Sequence, residues 1–241
     1  MPNNIEQVKY ELLLQSRSIL TELKSLGVEE IYPSPVTEIL PICTGEDDAT
    51  MGHCRIETLD EIKADLGECQ RCPLAAGRNM LVFGEGNPHA RVVFVGEGPG
   101  REEDKSGVPF VGEAGRLLER ILFAMGLQRE EVYVCNVIKC RPPQNRNPVA
   151  QEISACEPFL QRQLAAIKPL LIIVMGEFAA QTLLQQQTPI SKLRGHWYSY
   201  QNIPLMPTFH PAYLLRSPAA KREVWEDMKQ VMRRLKQEES S

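Results

Sequence analysis

Seven cysteines punctuate this chain, and four of them are placed where they could share a metal. Cys69 and Cys72 have two residues between them, so both thiolates can face one site within a single turn. Cys140 and Cys156 come far downstream as single residues. Structural zinc sites more often pair two such knuckles. One knuckle plus two lone cysteines leans toward a [4Fe-4S] cluster, with zinc at the same four cysteines as the alternative. Without a secretory leader, cysteine usage of this kind points to metal or catalysis rather than to disulfides.

A second group of residues could do chemistry on a ligand. The run Val92-Val93-Phe94-Val95 breaks into Gly96-Glu97-Gly98-Pro99-Gly100. Glycine there lets the backbone turn sharply and approach a ligand closely. The loop is neither a Walker A motif nor a dinucleotide fingerprint, because Pro99 intervenes and no Gly-Lys-Ser/Thr follows. Phe110, between Pro109 and Val111, suits either a core or a stacking platform. Asn136 falls late in an apolar strand. Its amide is either satisfied by backbone or presents an acceptor and a donor side by side, as reading the edge of a base requires. His210, between Phe209 and Pro211, sits at a strand's carboxyl end, well placed for chemistry.

The elements that position these groups are legible as alternating patterns. Strands are expected over 80–84, 92–95, 132–138, 170–175 and 204–206. Helices are expected over 113–125, 149–167, 177–186 and 219–237, and residues 101–105 are expected as a charged loop. Thr58 with Glu61 forms a capping-box pattern opening a short helix that stops at Gly67. Strands alternating with helices imply a mainly parallel sheet covered on both faces, and open sheets of this type place ligands at the carboxyl ends of their strands. Cys135 lies inside an apolar strand and reads as core packing.

The first 56 residues read differently from the body at 57–241. Val8, Leu12, Ile19, Leu23 and Leu26 recur at helical steps, so residues 5–26 are expected as an amphipathic helix that packs on the body or on a protein partner. Residues 31–56 are an acidic, proline-containing linker, whose Cys43, His53 and Cys54 are too loosely spaced to argue for a metal. Residues 1–60 hold four Lys or Arg against eleven Asp or Glu, a net of −7. The remainder holds 23 basic and 20 acidic residues, a net of +3, so the overall −4 does not exclude phosphate-bearing partners. No apolar run approaches a membrane span, and no basic stretch with an apolar core opens the chain. The expected compartment is the cytoplasm.

Several long motifs occur together in one order: Cys69-x-x-Cys72, GEGPG at 96–100, GVPFVGEAG at 107–115, NVIKCRPPQNR at 136–146, Cys156, and HPAYLLR at 210–216. In these the sequence resembles the family 4, iron–sulfur type of uracil-DNA glycosylase, over roughly residues 66–235. The resemblance implies a three-layer α/β/α sandwich around a mainly parallel four-stranded sheet. It implies uracil-containing DNA, single- or double-stranded, as substrate, with the uracil flipped into a pocket. Gly96, Glu97 and Gly98 would line that pocket and place the attacking water. Phe110 would stack on the base, Asn136 would pair with its N3–H and O4, and His210 would stabilise charge on the departing uracil. Leu214 would fill the vacated stack and Arg216 would hold a phosphate. Cys69, Cys72, Cys140 and Cys156 would hold the cluster. Related family 1 enzymes carry an acidic water-placing residue at the position of Gly98. Here Glu97 is the simplest substitute, with Glu103 and Asp104 as further candidates. Rival readings are a same-superfamily enzyme for another damaged base, a non-catalytic iron–sulfur DNA-binding protein, and a hydrolase of free nucleotides.

Overall fold

The computed structural model describes residues 57–239. The arm expected over residues 1–56, with its amphipathic helix and its Cys43, His53 and Cys54, lies outside the described residues.

The apolar runs assemble into one six-stranded sheet in the order β1-β3-β2-β4-β6-β5. Its four inner strands are β3 (Tyr133–Asn136), β2 (Val92–Gly96), β4 (Leu171–Met175) and β6 (Ile203–Thr208), and they are mutually parallel. These are the expected four. Two short antiparallel edges extend them, β1 (Glu85–Gly86) and β5 (Tyr198–Tyr200). Strand periodicity then sorts the side chains into two cores. Val93, Val95, Cys135, Ile172, Val174 and Leu205 face one side, where Leu160 and Leu164 of α4 (Ala150–Ile167) and Ala179 and Leu183 of α5 (Glu177–Leu184) cover them. Val92, Phe94, Val134, Ile173 and Met206 face the other, under Leu118 and Leu122 of α3 (Glu113–Met125) and Val224 and Met228 of α8 (Lys221–Glu239). This is a three-layer α/β/α sandwich.

Helix α1 (Leu59–Leu66) opens on the expected capping box: Glu61 N donates to Thr58 Oγ1 at 3.2 Å, and Thr58 N donates to Glu61 Oε2 at 2.8 Å. Its Ile62 and Leu66 join Phe83 and Phe159 in a third, smaller core against α4.

Two expectations shift, and one further element appears. Residues 80–84 form no strand. Val82 and Phe83 are buried, but Val82 N reaches only one partner, the Lys139 carbonyl at 2.8 Å. Residues 101–106 are a helix, α2 (Arg101–Ser106), not a loop. Acidic residues in the first turn suit its dipole, and Glu103 Oε2 accepts from Gly100 N at 3.1 Å. After His210 the chain coils into α7 (Pro211–Arg216), with proline at the first helical position, where its missing N–H costs nothing. A short α6 (Ile190–Leu193) completes the set.

Candidate active site and cysteine cluster

Because the inner strands are parallel, β2, β3, β4 and β6 all end at the same edge of the sheet. The chain leaves β2 for β3 on one side and then crosses to β4 on the other, so the strand order reverses at β2. Crevices form at such reversals. Gly96 ends β2 and pairs in register with Asn136, which ends β3. Past β6, Gly176 N donates to the Thr208 carbonyl at 2.9 Å, which holds the approach to His210. Three of the expected residues, Gly96, Asn136 and His210, are therefore brought to one edge by backbone topology.

Asn136 is 1 % exposed, and its Oδ1 is a buried acceptor without a hydrogen-bond partner. Among the described residues only one other buried side-chain polar atom is in that state, the Tyr200 hydroxyl. An unpaired buried acceptor costs about 1–3 kcal/mol, so a ligand donor arriving there would be favoured. Gly96 is required beside it. A Cβ there would overlap Asn136 Oδ1 and lie 2.6 Å from Phe110 Cζ.

Phe110 is held in a conformation that bulky residues avoid, with φ of 55°. Its neighbours account for this. Arg129 Nη2 donates to the Pro109 carbonyl at 2.6 Å, and Val111 N and Gly112 N both donate to Glu103 Oε1 at 3.0 Å. Gly115 packs so closely that a Cβ would overlap the Phe110 carbonyl. The Phe110 ring lies 5.6 Å from the His210 ring, centroid to centroid.

His210 caps α7. Its Nδ1 accepts from Ala212 N at 3.1 Å, so that nitrogen carries no proton. Burial lowers its proton affinity to about 4, helped by the Arg216 guanidinium and opposed by Glu103. The ring is therefore neutral at pH 7 with its proton on Nε2, a donor.

Burial also pushes the Glu97 carboxyl above its ordinary range. Glu103 and Asp104, the other acidic candidates, are engaged elsewhere. Glu103 clamps the backbone of two loops. Asp104, 1 % exposed, accepts from Asn79 N at 2.9 Å and from its side-chain amide at 2.5 Å.

The cysteines are brought into one neighbourhood: Arg78 Nη1 donates both to the Cys69 carbonyl, at 2.6 Å, and to Cys140 Sγ, and Cys140, Cys156 and the half-buried Cys72 share one apolar cluster. Cys140 and Cys156 are buried, and burial pushes the Cys156 thiol up to about 11. Three of the four sulfurs accept an N–H. Arg78 Nη1 is 3.3 Å from Cys140 Sγ, Arg71 Nη1 is 3.5 Å from Cys69 Sγ, and Lys139 N is 3.2 Å from Cys156 Sγ. Such donors favour anionic sulfur, so the donor set fits a thiolate-held centre. Among the described residues no three His, Cys, Asp or Glu side chains are gathered closely enough to hold a single metal ion.

Comparison with known proteins now bears on this edge of the sheet. Residues 83–229 match the family model described as the uracil DNA glycosylase superfamily. A type-4 uracil-DNA glycosylase of Thermotoga maritima is 43% identical over 192 residues, covering 77% of this chain and 99% of that protein. The chain belongs to the uracil-DNA glycosylase superfamily, in its type 4 branch. A type-4 uracil-DNA glycosylase of Archaeoglobus fulgidus is 41% identical, covering 73% of this chain and 92% of that one. A type-5 uracil-DNA glycosylase of Pyrobaculum aerophilum is more distant, 28% identical over 57% of this chain.

One expected role in this type 4 glycosylase chain needs correction. Leu214 does not project as a wedge. It is 1 % exposed and packs in the core beneath α3 and α8. The exposed apolar residues of α7 are Tyr213, at 39 %, and Leu215, at 38 %. The helical turn from Pro211 decides this, since it rotates Leu214 inward. Arg216 is exposed, as a phosphate contact would be. Other residues were not singled out from the sequence. Asp227 is fully buried, accepts from Thr208 Oγ1 at 2.7 Å and Arg194 Nε at 3.1 Å, and so anchors the segment leading to His210. It lies on α8, whose charged pattern resembles any solvated helix.

Proposed function

We propose that this chain excises uracil from DNA by hydrolysing its N-glycosidic bond, as the first step in repairing deaminated cytosine. The observation that carries the reading is the orphaned Asn136 Oδ1 beside Phe110 and His210. Uracil offers N3–H to that oxygen. Cytosine offers a lone pair there, acceptor against acceptor, and a site built around a buried polar group rejects such a mismatch strongly.

The mechanism follows from the residue states. Uracil leaves the stack, because its glycosidic bond is out of reach inside the duplex. Phe110 supplies an apolar ring against the base. Asn136 accepts from N3–H and donates its amide N–H to O4. The neutral His210 donates Nε2–H to O2. As the bond from C1′ to N1 breaks, its electron pair passes to uracil, and the developing charge on O2 strengthens that hydrogen bond. A water oxygen bonds to C1′, and its proton passes to the Glu97 carboxylate and then to solvent, leaving an abasic site. A carboxyl raised by burial is a better base for this step than an ordinary one. Exposed Tyr213 and Leu215 would enter the vacated stack, with Arg216 on a phosphate.

Cys69, Cys72, Cys140 and Cys156 would hold a [4Fe-4S] cluster, whose part is to cross-link the knuckle to the β3 loop and α4. One knuckle with two lone cysteines favours a cubane over zinc, whose structural sites more often pair two knuckles. No described helix is long and apolar enough to cross a membrane.

The test is an end-labelled oligonucleotide with a single uracil, incubated with the protein and then cleaved by alkali at any abasic site. Cleavage at the uracil alone, with free deoxyuridine phosphates untouched, is the expected result. No cleavage by cluster-loaded protein would overturn the reading.

A further inference from the structure

We infer that Lys139 is a positioning residue that ties the base-reading side chain to the cysteine site: its Nζ bridges the Asn136 carbonyl and Gln163, on the helix that carries Cys156. The inference rests on the glycosylase reading above.

Lys139 is completely buried, as is Gln163. Its Nζ lies 2.7 Å from the Asn136 carbonyl oxygen and 2.6 Å from Gln163 Oε1. Its backbone N donates to Cys156 Sγ at 3.2 Å. Gln163 is fixed in turn, because its amide nitrogen donates to the Phe83 carbonyl at 3.0 Å and to the Tyr133 hydroxyl at 3.1 Å. Two N–H donors suffice for both Nζ bonds, so the bridge stands with Nζ as either ammonium or amine.

The topology explains why a bridge is needed here. Edge strand β1 pairs only with Tyr133 and Val134, so it stops short of Asn136. The Asn136 carbonyl therefore leaves the sheet with no ladder partner on that side. The following amide, Val137 N, is held by the Gly96 carbonyl at 2.9 Å. Lys139 holds the other end of the same peptide. With both ends fixed, the Cα–Cβ bond of Asn136 is held toward the pocket, the backbone setting in which its Oδ1 is left unpaired. A surface carbonyl would be satisfied by water. A fully buried lysine is a costly substitute, and it occurs where the base-reading Asn136 lies three residues before it and Cys140 of the proposed cluster directly follows it. Occupancy of the cysteine site and the aim of Asn136 are thereby mechanically joined.

The test uses full-length, cluster-loaded protein and a graded series: Gln163→Met, Lys139→Met, and the double variant Lys139→Met/Gln163→Leu. The double variant removes both ends of the buried pair, a change that apolar groups of similar shape tolerate better than loss of one end. Iron content and thermal unfolding report integrity. The deciding readout is affinity for free uracil, measured as product inhibition of excision, together with a cycle against Asn136→Ala. The expected result is uracil affinity about tenfold weaker in the Lys139 variants, with cluster retained, and less than about twofold further loss when Lys139→Met is added to Asn136→Ala. Unchanged uracil affinity in a folded variant, or losses that simply add to that of Asn136→Ala, would overturn it. A series in which no member retains cluster and fold would also overturn it, since Lys139 would then be a general structural group. Wild-type protein that neither binds nor excises uracil would sink the glycosylase reading and this inference with it.

Discussion

Acidification should charge His210 far later than an ordinary histidine. Burial lowers its proton affinity from 6.5 to about 4, Arg216 acts in the same direction, and Glu103 opposes them. The folded value lies below the unfolded one, so as pH falls the unfolded chain takes up this proton first. The stability tied to the neutral ring is complete above about pH 6.5 and is lost progressively as pH falls through 4. The full loss is about 3 kcal/mol. The assay is an NMR titration of the ring protons. The chain has four histidines, and the signal absent from His210→Gln identifies the one in question. Its midpoint should lie near 4, and Arg216→Gln should move it upward. Denaturant unfolding at pH 7 and pH 4.5 should show His210→Gln losing less stability on acidification than wild type. A midpoint near 6.5 would refute the reasoning, because the ring would then be largely charged in mild acid and could not serve as the neutral Nε2–H donor proposed above.

Gly96→Ala should place a methyl group against Asn136 Oδ1 and Phe110 and lower excision about 100-fold in single-turnover assays, at about 1–3 kcal/mol of stability. Leu214→Ala should cost about 2–5 kcal/mol in denaturant unfolding, whereas Leu215→Ala should change stability by less than about 0.5 kcal/mol and weaken binding to abasic DNA several-fold in a gel-shift assay. Cys140→Ala should abolish iron binding and the cluster's visible absorbance and lower Tm by about 10 °C, as loss of a cross-link of several kcal/mol requires.

Much of the site was legible because its residues sit at strand ends, where glycine, asparagine and histidine interrupt apolar runs. Gly96, Asn136 and His210 announced themselves in this way, and β2 and β4 were readable from continuous buried valine and isoleucine. The capping box of α1 was readable because its partners are three residues apart. Other features depend on contacts between distant segments. Leu214 reads as the wedge from the family motif alone, and only the helix opened by Pro211 turns it inward. Glu103 looked like one acid among several, and its clamp on Val111 and Gly112 appears only when α2 folds beneath that loop. Arg78 reaches Cys140 across 62 positions, and Lys139 reaches Gln163 across 24, which no local pattern encodes. The strand expected at 80–84 failed because burial against α1 and α4 produces the same apolar pattern as pairing does.

The most direct test of the central claim is the rate of uracil excision by Asn136→Ala beside wild type, under single-turnover conditions, on one oligonucleotide with a single uracil. If Oδ1 is the acceptor that N3–H completes, the variant should keep its fold and cluster and lose about 100-fold or more in rate. Excision within a few-fold of wild type by a folded, cluster-loaded Asn136→Ala would contradict the account.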